Sequence, residues 1–112
     1  MEALFIILND LGKYDEILQT LVNLEVRGAT ILECEGMAKA LLKSEGLSSL
    51  LKGLLESSKT KDIGSSKTIF TVIKKDQVDP ICSAIDEFLS KSNAKIKGFM
   101  FTIPVSKVHQ FK

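Results

Sequence analysis

Apolar residues follow two different periods along this chain, and each period predicts one type of secondary structure. The continuous apolar run Ala3–Leu8 predicts a strand that is covered on at least one face. The Thr-Ile-Leu pattern within Ala29–Cys34, the β-branched segment Lys67–Lys74 and the segment Ile96–Ile103 predict three further strands. Four strands are therefore expected, two on each side of a long central segment.

Two segments have the spacing of amphipathic helices. Tyr14–Leu24 carries its apolar side chains on one broad face, and Asp76–Lys91 repeats them at i, i+3, i+4 and i+7. Pro80 is compatible with the second helix because it lies in the first turn. The resulting order, βαβ followed by an insert and a second βαβ, predicts an α+β domain with the ferredoxin-like fold. In that fold two helices cover one face of a four-stranded antiparallel sheet.

The segment between the two halves, Met37–Ser66, is much longer than the loops of about 4–6 residues that usually connect elements. Its leucines recur at i, i+3, i+4, i+7 and i+8, which predicts a partly helical insert with one apolar face. These are the candidate partner-docking residues: Leu47, Leu50, Leu51, Leu54 and Leu55. Such a face either packs on its own or a neighbouring subunit, or docks on a partner protein or membrane surface.

Composition narrows the class of protein. The chain has 112 residues, of which 45% are hydrophobic and 26% charged, as in a soluble globular protein with one domain spanning residues 1–112. A formal net charge of +1 does not favour a nucleic-acid partner, which normally requires a basic surface. The longest apolar run has the length of a strand, so no membrane span and no secretion signal are expected. The expected location is the cytoplasm.

Few side chains offer catalytic or metal-binding chemistry. Cys34 and Cys82 lie far apart without metal-ligand spacing, which is typical of reduced core cysteines in a cytosolic protein. His109 is the only histidine, so neither a catalytic triad nor a metal site with several converging ligands can be assembled from sequence motifs. The sequence does not predict an enzyme.

The segment Leu24–Gly36 reads LEVRGATILECEG and resembles the LGVxGMTVTEVxG segment of the PII nitrogen-regulatory family. In that family this segment leads into a long loop, the T-loop. The pattern of Leu4–Leu21 and Ile69–Leu89 is also similar to the family's strand and helix segments. The resemblance implies a homotrimer of ferredoxin-like subunits with nucleotide sites in the clefts between them. It also implies that Met37–Ser66 is a T-loop-like segment that docks on enzymes or membrane transporters.

The resemblance also implies roles for individual residues. Gly28 and Thr30 would line the adenine side of the cleft, and Gly36 would offer its backbone at the base of the T-loop. The implied ligand is an adenine nucleotide, either ATP, ADP or AMP. Three lysines offer point-charge contacts to a phosphate: Lys95, Lys97 and Lys107.

Several positions depart from the family pattern. Met37–Lys39 replaces the family's Gly-Arg-Gln, and Ser92–Phe99 loses the glycines that let backbone N–H groups approach a phosphate. Arg27 is the only arginine, so bidentate contacts to phosphate are scarce. The family's modified T-loop tyrosine is absent, since Tyr14 is the only tyrosine. The sequence therefore predicts a PII-like regulatory protein with weakened phosphate contacts.

Two alternatives remain open at this stage. A CutA-like trimer that binds divalent metals would have the same fold, although one histidine and two separated cysteines make a poor set of ligands. A structural adaptor would bind a partner constitutively through the leucine helix, without a small ligand. Co-purification of copper or zinc at about one equivalent per chain would favour the first alternative.

Overall fold

The computed structural model describes residues 1–43 and 65–111. Within these residues the elements in chain order are β1 (Glu2–Leu8), α1 (Tyr14–Asn23), β2 (Thr30–Glu35), α2 (Met37–Lys43), β3 (Ser65–Ile73), α3 (Val78–Ser90) and β4 (Gly98–Pro104). Short 3-10 turns, Leu11–Lys13 and Lys75–Gln77, precede α1 and α3.

The four strands form one sheet in the order β2-β3-β1-β4, and every neighbouring pair is antiparallel. The helix α1 connects β1 to β2, and α3 connects β3 to β4. This order and these crossovers confirm the predicted α+β, ferredoxin-like arrangement.

The hydrophobic core lies between the two long helices and one face of the sheet. Along β1, alternate side chains point to this core, as the pleat of a strand requires. The helices α1 and α3 contact each other and bury the same kind of apolar stripe. The buried core residues are Leu4, Ile6, Leu8, Ile17, Leu21, Ile69, Ile73, Ile81, Ile85 and Leu89.

The opposite face of the sheet carries several exposed apolar residues, such as Leu32, Phe99 and Ile103, and is called the open face here. The register places these side chains on it: Ala3, Phe5, Ile7, Thr30, Leu32, Cys34, Ser66, Thr68, Phe70, Val72, Phe99, Phe101 and Ile103. None of these positions carries a charge. One whole side of the sheet is thus apolar or weakly polar.

The end of α1 has an unusual backbone. Leu24 caps the helix, the N–H of Val26 donates to the carbonyl of Leu21 (2.9 Å), and the N–H of Glu25 donates to the carbonyl of Val22 (3.0 Å). This is the Schellman motif, in which the residue after the cap takes the left-handed conformation that favours glycine. Here that residue is Glu25, with a φ of 65°.

The predicted elements agree with the structure apart from their ends. The predicted second helix, Asp76–Lys91, begins as the 3-10 turn Lys75–Gln77 and becomes α-helical at Val78. The insert begins as a helix, α2, while the five docking leucines at positions 47–55 lie outside the described residues. Cys34 is half-buried on the open face, so its predicted place in the core was wrong, because β2 is an edge strand. Cys82 is half-buried and packs against the core.

No helix in residues 1–43 and 65–111 combines the length and the apolar character needed to cross a bilayer.

Candidate functional site

The four predicted ligand-binding residues lie near three corners of the sheet. Gly28 and Gly36 flank the two ends of β2, Thr30 is its first residue, and Lys97 immediately precedes β4 at the opposite edge. Six strand residues span about 20 Å, and three strand spacings span about 14 Å, so Gly28 and Lys97 are about 25 Å apart. One subunit therefore does not bring these four residues together.

A groove of about 1150 Å³ lies at the Gly28 end of the sheet. Its walls come from the end of α1, the turn that contains Gly28, the end of β3 and the C-terminal segment. The hydroxyl of Thr71 donates to the carbonyl of Gly28 at 2.6 Å, which fixes this turn against β3. Pockets of about 300–1,000 Å³ are typical of small-molecule sites, so the groove is large enough for such a ligand.

Gly28 has no structural need to be glycine within the described chain. Its backbone does not have a positive φ, and a Cβ built at this position would meet no atom within 4 Å. A turn that required glycine would have a positive φ at this position or a neighbouring atom too close for a Cβ. The free space beside Gly28 opens toward the groove.

The free edge of β3 borders the same groove. Pairing between β2 and β3 ends at Thr30 and Phe70, whereas β3 continues to Ile73 and still pairs with β1 on its other side. Within the described part of the chain no strand pairs with the β2 side of Thr71–Ile73. This edge therefore leaves backbone polar groups next to the groove, where a ligand or another chain can satisfy them.

The groove carries charges of both signs. Arg27 and Lys74 contribute cations, and Glu25 and Asp76 contribute carboxylates. The side chain of Gln77 is already engaged, because its Oε1 accepts the backbone N–H of Lys74 at 2.9 Å. The lining is therefore a mixture of polar and apolar groups with charges of both signs, which does not by itself select one chemical class of ligand.

The other end of the sheet holds the base of the insert and the loop before β4. The carbonyl of Gly36 accepts the N–H of Ala40 (3.0 Å), so Gly36 joins β2 directly to α2. A smaller cavity of about 370 Å³ lies beside it and is lined by Leu11, Glu33, Cys34, Glu35, Lys39, Ser66 and Lys67. In residues 1–43 and 65–111, no three His, Cys, Asp or Glu side chains converge as metal ligands would.

The loop before β4 contains one glycine that the backbone requires. Gly98 has a φ of +138°, and a Cβ there would lie 2.2 Å from the carbonyl oxygen of Ile7. The carbonyl of Lys97 accepts the N–H groups of Asn9 (3.0 Å) and Asp10 (3.1 Å). Lys97 is therefore held by its backbone, and its side chain extends from a fixed point at this corner of the sheet.

Sequence reasoning missed the contact between Asp10 and this loop. The carboxylate of Asp10 accepts the hydroxyl hydrogen of Ser92, a residue 82 positions further along the chain. An Asp followed two residues later by Gly marks a turn. It does not indicate which distant hydroxyl that Asp will meet.

The open face carries a row of contacting phenylalanines. The ring centroids are 5.5 Å apart for Phe5 and Phe70, 4.9 Å for Phe5 and Phe101, and 6.1 Å for Phe99 and Phe101. Phe99 remains 60% exposed and Phe101 43% exposed. Large contiguous apolar patches of this kind mark an interaction surface.

The surroundings of the two cysteines do not activate either thiol as a nucleophile. Burial raises the pKa of the Cys82 thiol, and the nearby carboxylates of Asp86 and Asp79 raise it further. A raised pKa keeps this thiol protonated and poorly nucleophilic. The sulfur of Cys34 lies 3.0 Å from the hydroxyl oxygen of Thr68, a neutral partner.

Comparison with known proteins places this geometry in a family. No curated protein matches the chain. The family model for nitrogen regulatory protein P-II matches residues 1–112, which is the entire sequence. That family consists of regulatory proteins, and the match gives no support to the CutA-like alternative. The chain belongs to the nitrogen regulatory protein P-II family.

Proposed function

We propose that the protein is a cytoplasmic, homotrimeric PII-like signalling protein. It binds a small ligand in the clefts between its subunits and regulates a partner protein, such as a membrane transporter, through residues 37–66. The family match over residues 1–112 carries this proposal. The open face supports the trimer, and the groove at Gly28 supports the ligand site.

The trimer is supported by the open face. Its side chains are uncharged, and in the single subunit Phe99 is 60% exposed and Phe101 is 43% exposed. Burying the exposed part of these two rings stabilises an interface by about 5 kcal/mol at 25 cal/mol per Å², if each ring has about 200 Å². A second copy of the chain offers the same apolar surface, so the open faces cover one another.

The ligand site is supported by the groove at Gly28 and by the distance to Lys97. The space beside Gly28 has room for a flat ring such as adenine. The free edge of β3 offers backbone groups that can form hydrogen bonds with it. Lys97 lies about 25 Å from this groove in the same subunit. If Lys97 contacts the same ligand, it has to come from a neighbouring subunit, which supports a site between subunits.

The switch is supported by the position of Gly36. It joins β2 to α2, so a ligand contact at Gly36 acts directly on the start of the 37–66 segment. A ligand shifts this segment only if it binds one of its conformations more tightly than another. The five leucines of the segment, Leu47, Leu50, Leu51, Leu54 and Leu55, are the proposed contacts to the partner.

Sedimentation equilibrium tests the trimer. The wild-type protein is expected at three times the mass of one chain, and Phe101→Lys, which places a charge on the open face, is expected as a monomer. Ser83→Lys adds the same charge to an exposed position of α3 and leaves the trimer intact. A monomeric wild type, or a trimeric Phe101→Lys variant, contradicts the proposed interface.

Calorimetric titration with AMP, ADP and ATP tests the ligand site. Gly28→Leu is expected to weaken binding by occupying the free space beside Gly28, while the control Ser83→Leu retains it. If none of the three nucleotides gives heat or a thermal shift with the wild type, the nucleotide part of the proposal is wrong.

Pull-down from native cell extract tests the partner, with and without nucleotide. A deletion of Leu47–Leu55 that loses the partner but keeps the trimer supports docking through these leucines. A deletion that collapses the trimer assigns the leucines a structural role.

A further inference from the structure

Two turns at the Lys97 corner of the sheet are tied together by side-chain and backbone hydrogen bonds. The hydroxyl of Ser92, which is 8% exposed, donates to Oδ2 of Asp10 and accepts the N–H of Ala94 at 3.1 Å. The other oxygen of Asp10, Oδ1, accepts the N–H of Gly12 at 3.2 Å. Together with the two backbone bonds to the Lys97 carbonyl, these contacts hold both ends of the loop 92–97.

The tied loop is strongly basic. Lys91, Lys95 and Lys97 lie within it or next to it, and no acidic residue occurs between positions 91 and 97. Within the described part of the chain, none of these three lysines forms an ion pair within 4.0 Å. Asp10 is the carboxylate that hydrogen-bonds to the loop.

A phosphate chain and the Asp10 carboxylate need the same partners. Both are anions that accept hydrogen bonds from hydroxyl and backbone N–H donors. Asp10 already holds the Ser92 hydroxyl and the Gly12 N–H, and its negative charge repels a second anion at close range. A polyphosphate would have to displace the carboxylate before it could accept a hydrogen bond from the Ser92 hydroxyl.

We propose that Asp10 is a specificity-determining residue of the cleft: it is an internal anion that closes the basic 92–97 loop to phosphate chains. The expected ligand is then an adenine compound that binds without placing a diphosphate or triphosphate against this loop. This inference rests on the proposed function for the presence of the adenine cleft. The closure of the loop itself rests on the hydrogen bonds of Asp10.

Titration with inorganic tripolyphosphate at low salt tests the closure directly, since low salt preserves interactions between exposed charges. The wild type is expected to bind it weakly. Asp10→Ser, which removes the carboxylate from the loop, is expected to bind it at least about tenfold more tightly. Asp15→Ser is the matched control, because it removes the same charge from an exposed site in the first turn of α1. Its affinity should stay within about twofold of the wild type.

Asp10→Asn removes the charge but keeps the size of the side chain, so it serves as a second variant if the serine variant misfolds. It is also expected to bind tripolyphosphate more tightly than the wild type. A merely structural tie gives a different result: both variants lose thermal stability and neither gains affinity for tripolyphosphate. That result, or tight binding of tripolyphosphate by the wild type, overturns the inference.

A second titration compares adenosine, AMP, ADP and ATP with the wild type. Equal affinities within about threefold agree with a closed loop, and a steep rise from AMP to ATP overturns it. If no adenine compound binds, the proposed ligand is wrong, and the tripolyphosphate comparison still decides the role of Asp10.

Discussion

Replacing Glu25 by glycine is expected to raise the stability of the protein. Glu25 sits at the left-handed position of the Schellman motif with a φ of 65°, and the left-handed conformation costs a non-glycine residue about 1–2 kcal/mol. Glycine avoids that cost but loses about 0.4–1 kcal/mol through its more flexible unfolded state. The net gain in the free energy of unfolding is about 0.5–1 kcal/mol, or about 2–5 °C in Tm for a chain of this size.

Urea denaturation followed by circular dichroism, at one fixed protein concentration, measures this change. The concentration is fixed because the apparent stability of an oligomer depends on it. Ala29→Gly is the matched control, since Ala29 is exposed, lies outside the helices and has no positive φ. It is expected to lose about 0.4–1 kcal/mol. A Glu25→Gly variant that loses stability as the control does would refute the reasoning.

Three further changes have expected outcomes. Gly98→Ala is expected to lose about 3 kcal/mol or more in urea denaturation, because its Cβ would meet the Ile7 carbonyl, whereas Gly28→Ala should be neutral or slightly stabilising. Ile85→Ala should lose about 2–5 kcal/mol from the core, against less than about 0.5 kcal/mol for the exposed Ile96→Ala. The raised pKa of Cys82 means that the folded state favours the protonated thiol, so this contribution to stability is complete below the ordinary thiol pKa of about 8.5 and is lost as the pH rises further. The wild type should therefore lose more stability than Cys82→Ala as the pH rises above about 8.5, and parallel curves of stability against pH would contradict this.

The fold could be predicted from the sequence because local patterns and topology rules agree. The apolar run of β1 and the helical spacing of α3 each indicate one element, and right-handed crossovers leave the ferredoxin-like order as the natural solution. The edge position of β2 was the part that these patterns did not reveal. Its residues alternate like those of a covered strand, yet Leu32 is 50% exposed and Cys34 is only half-buried.

The candidate site could be predicted only as a set of residue types. A turn glycine and a ligand glycine look the same in sequence, and the structure separates them by φ and by the space around the missing Cβ. By this measure Gly98 is required by the backbone, whereas Gly28 is not. The tie between Asp10 and Ser92 depends on the register of β1 with β4, which no local pattern specifies.

The separation of the proposed site residues connects ligand binding to assembly. Gly28 and Lys97 lie at opposite corners of the sheet, so a ligand that contacts both requires an assembly that brings the second corner of one subunit to the first corner of another. A ligand that contacts both corners binds the trimer and not the free chain, and by mass action it stabilises the assembled state. Gly36 lies at the other end of β2 from Gly28 and immediately precedes Met37, the first residue of the 37–66 segment. Under the proposed function, the backbone of this one sheet would therefore couple assembly, the ligand and the 37–66 segment.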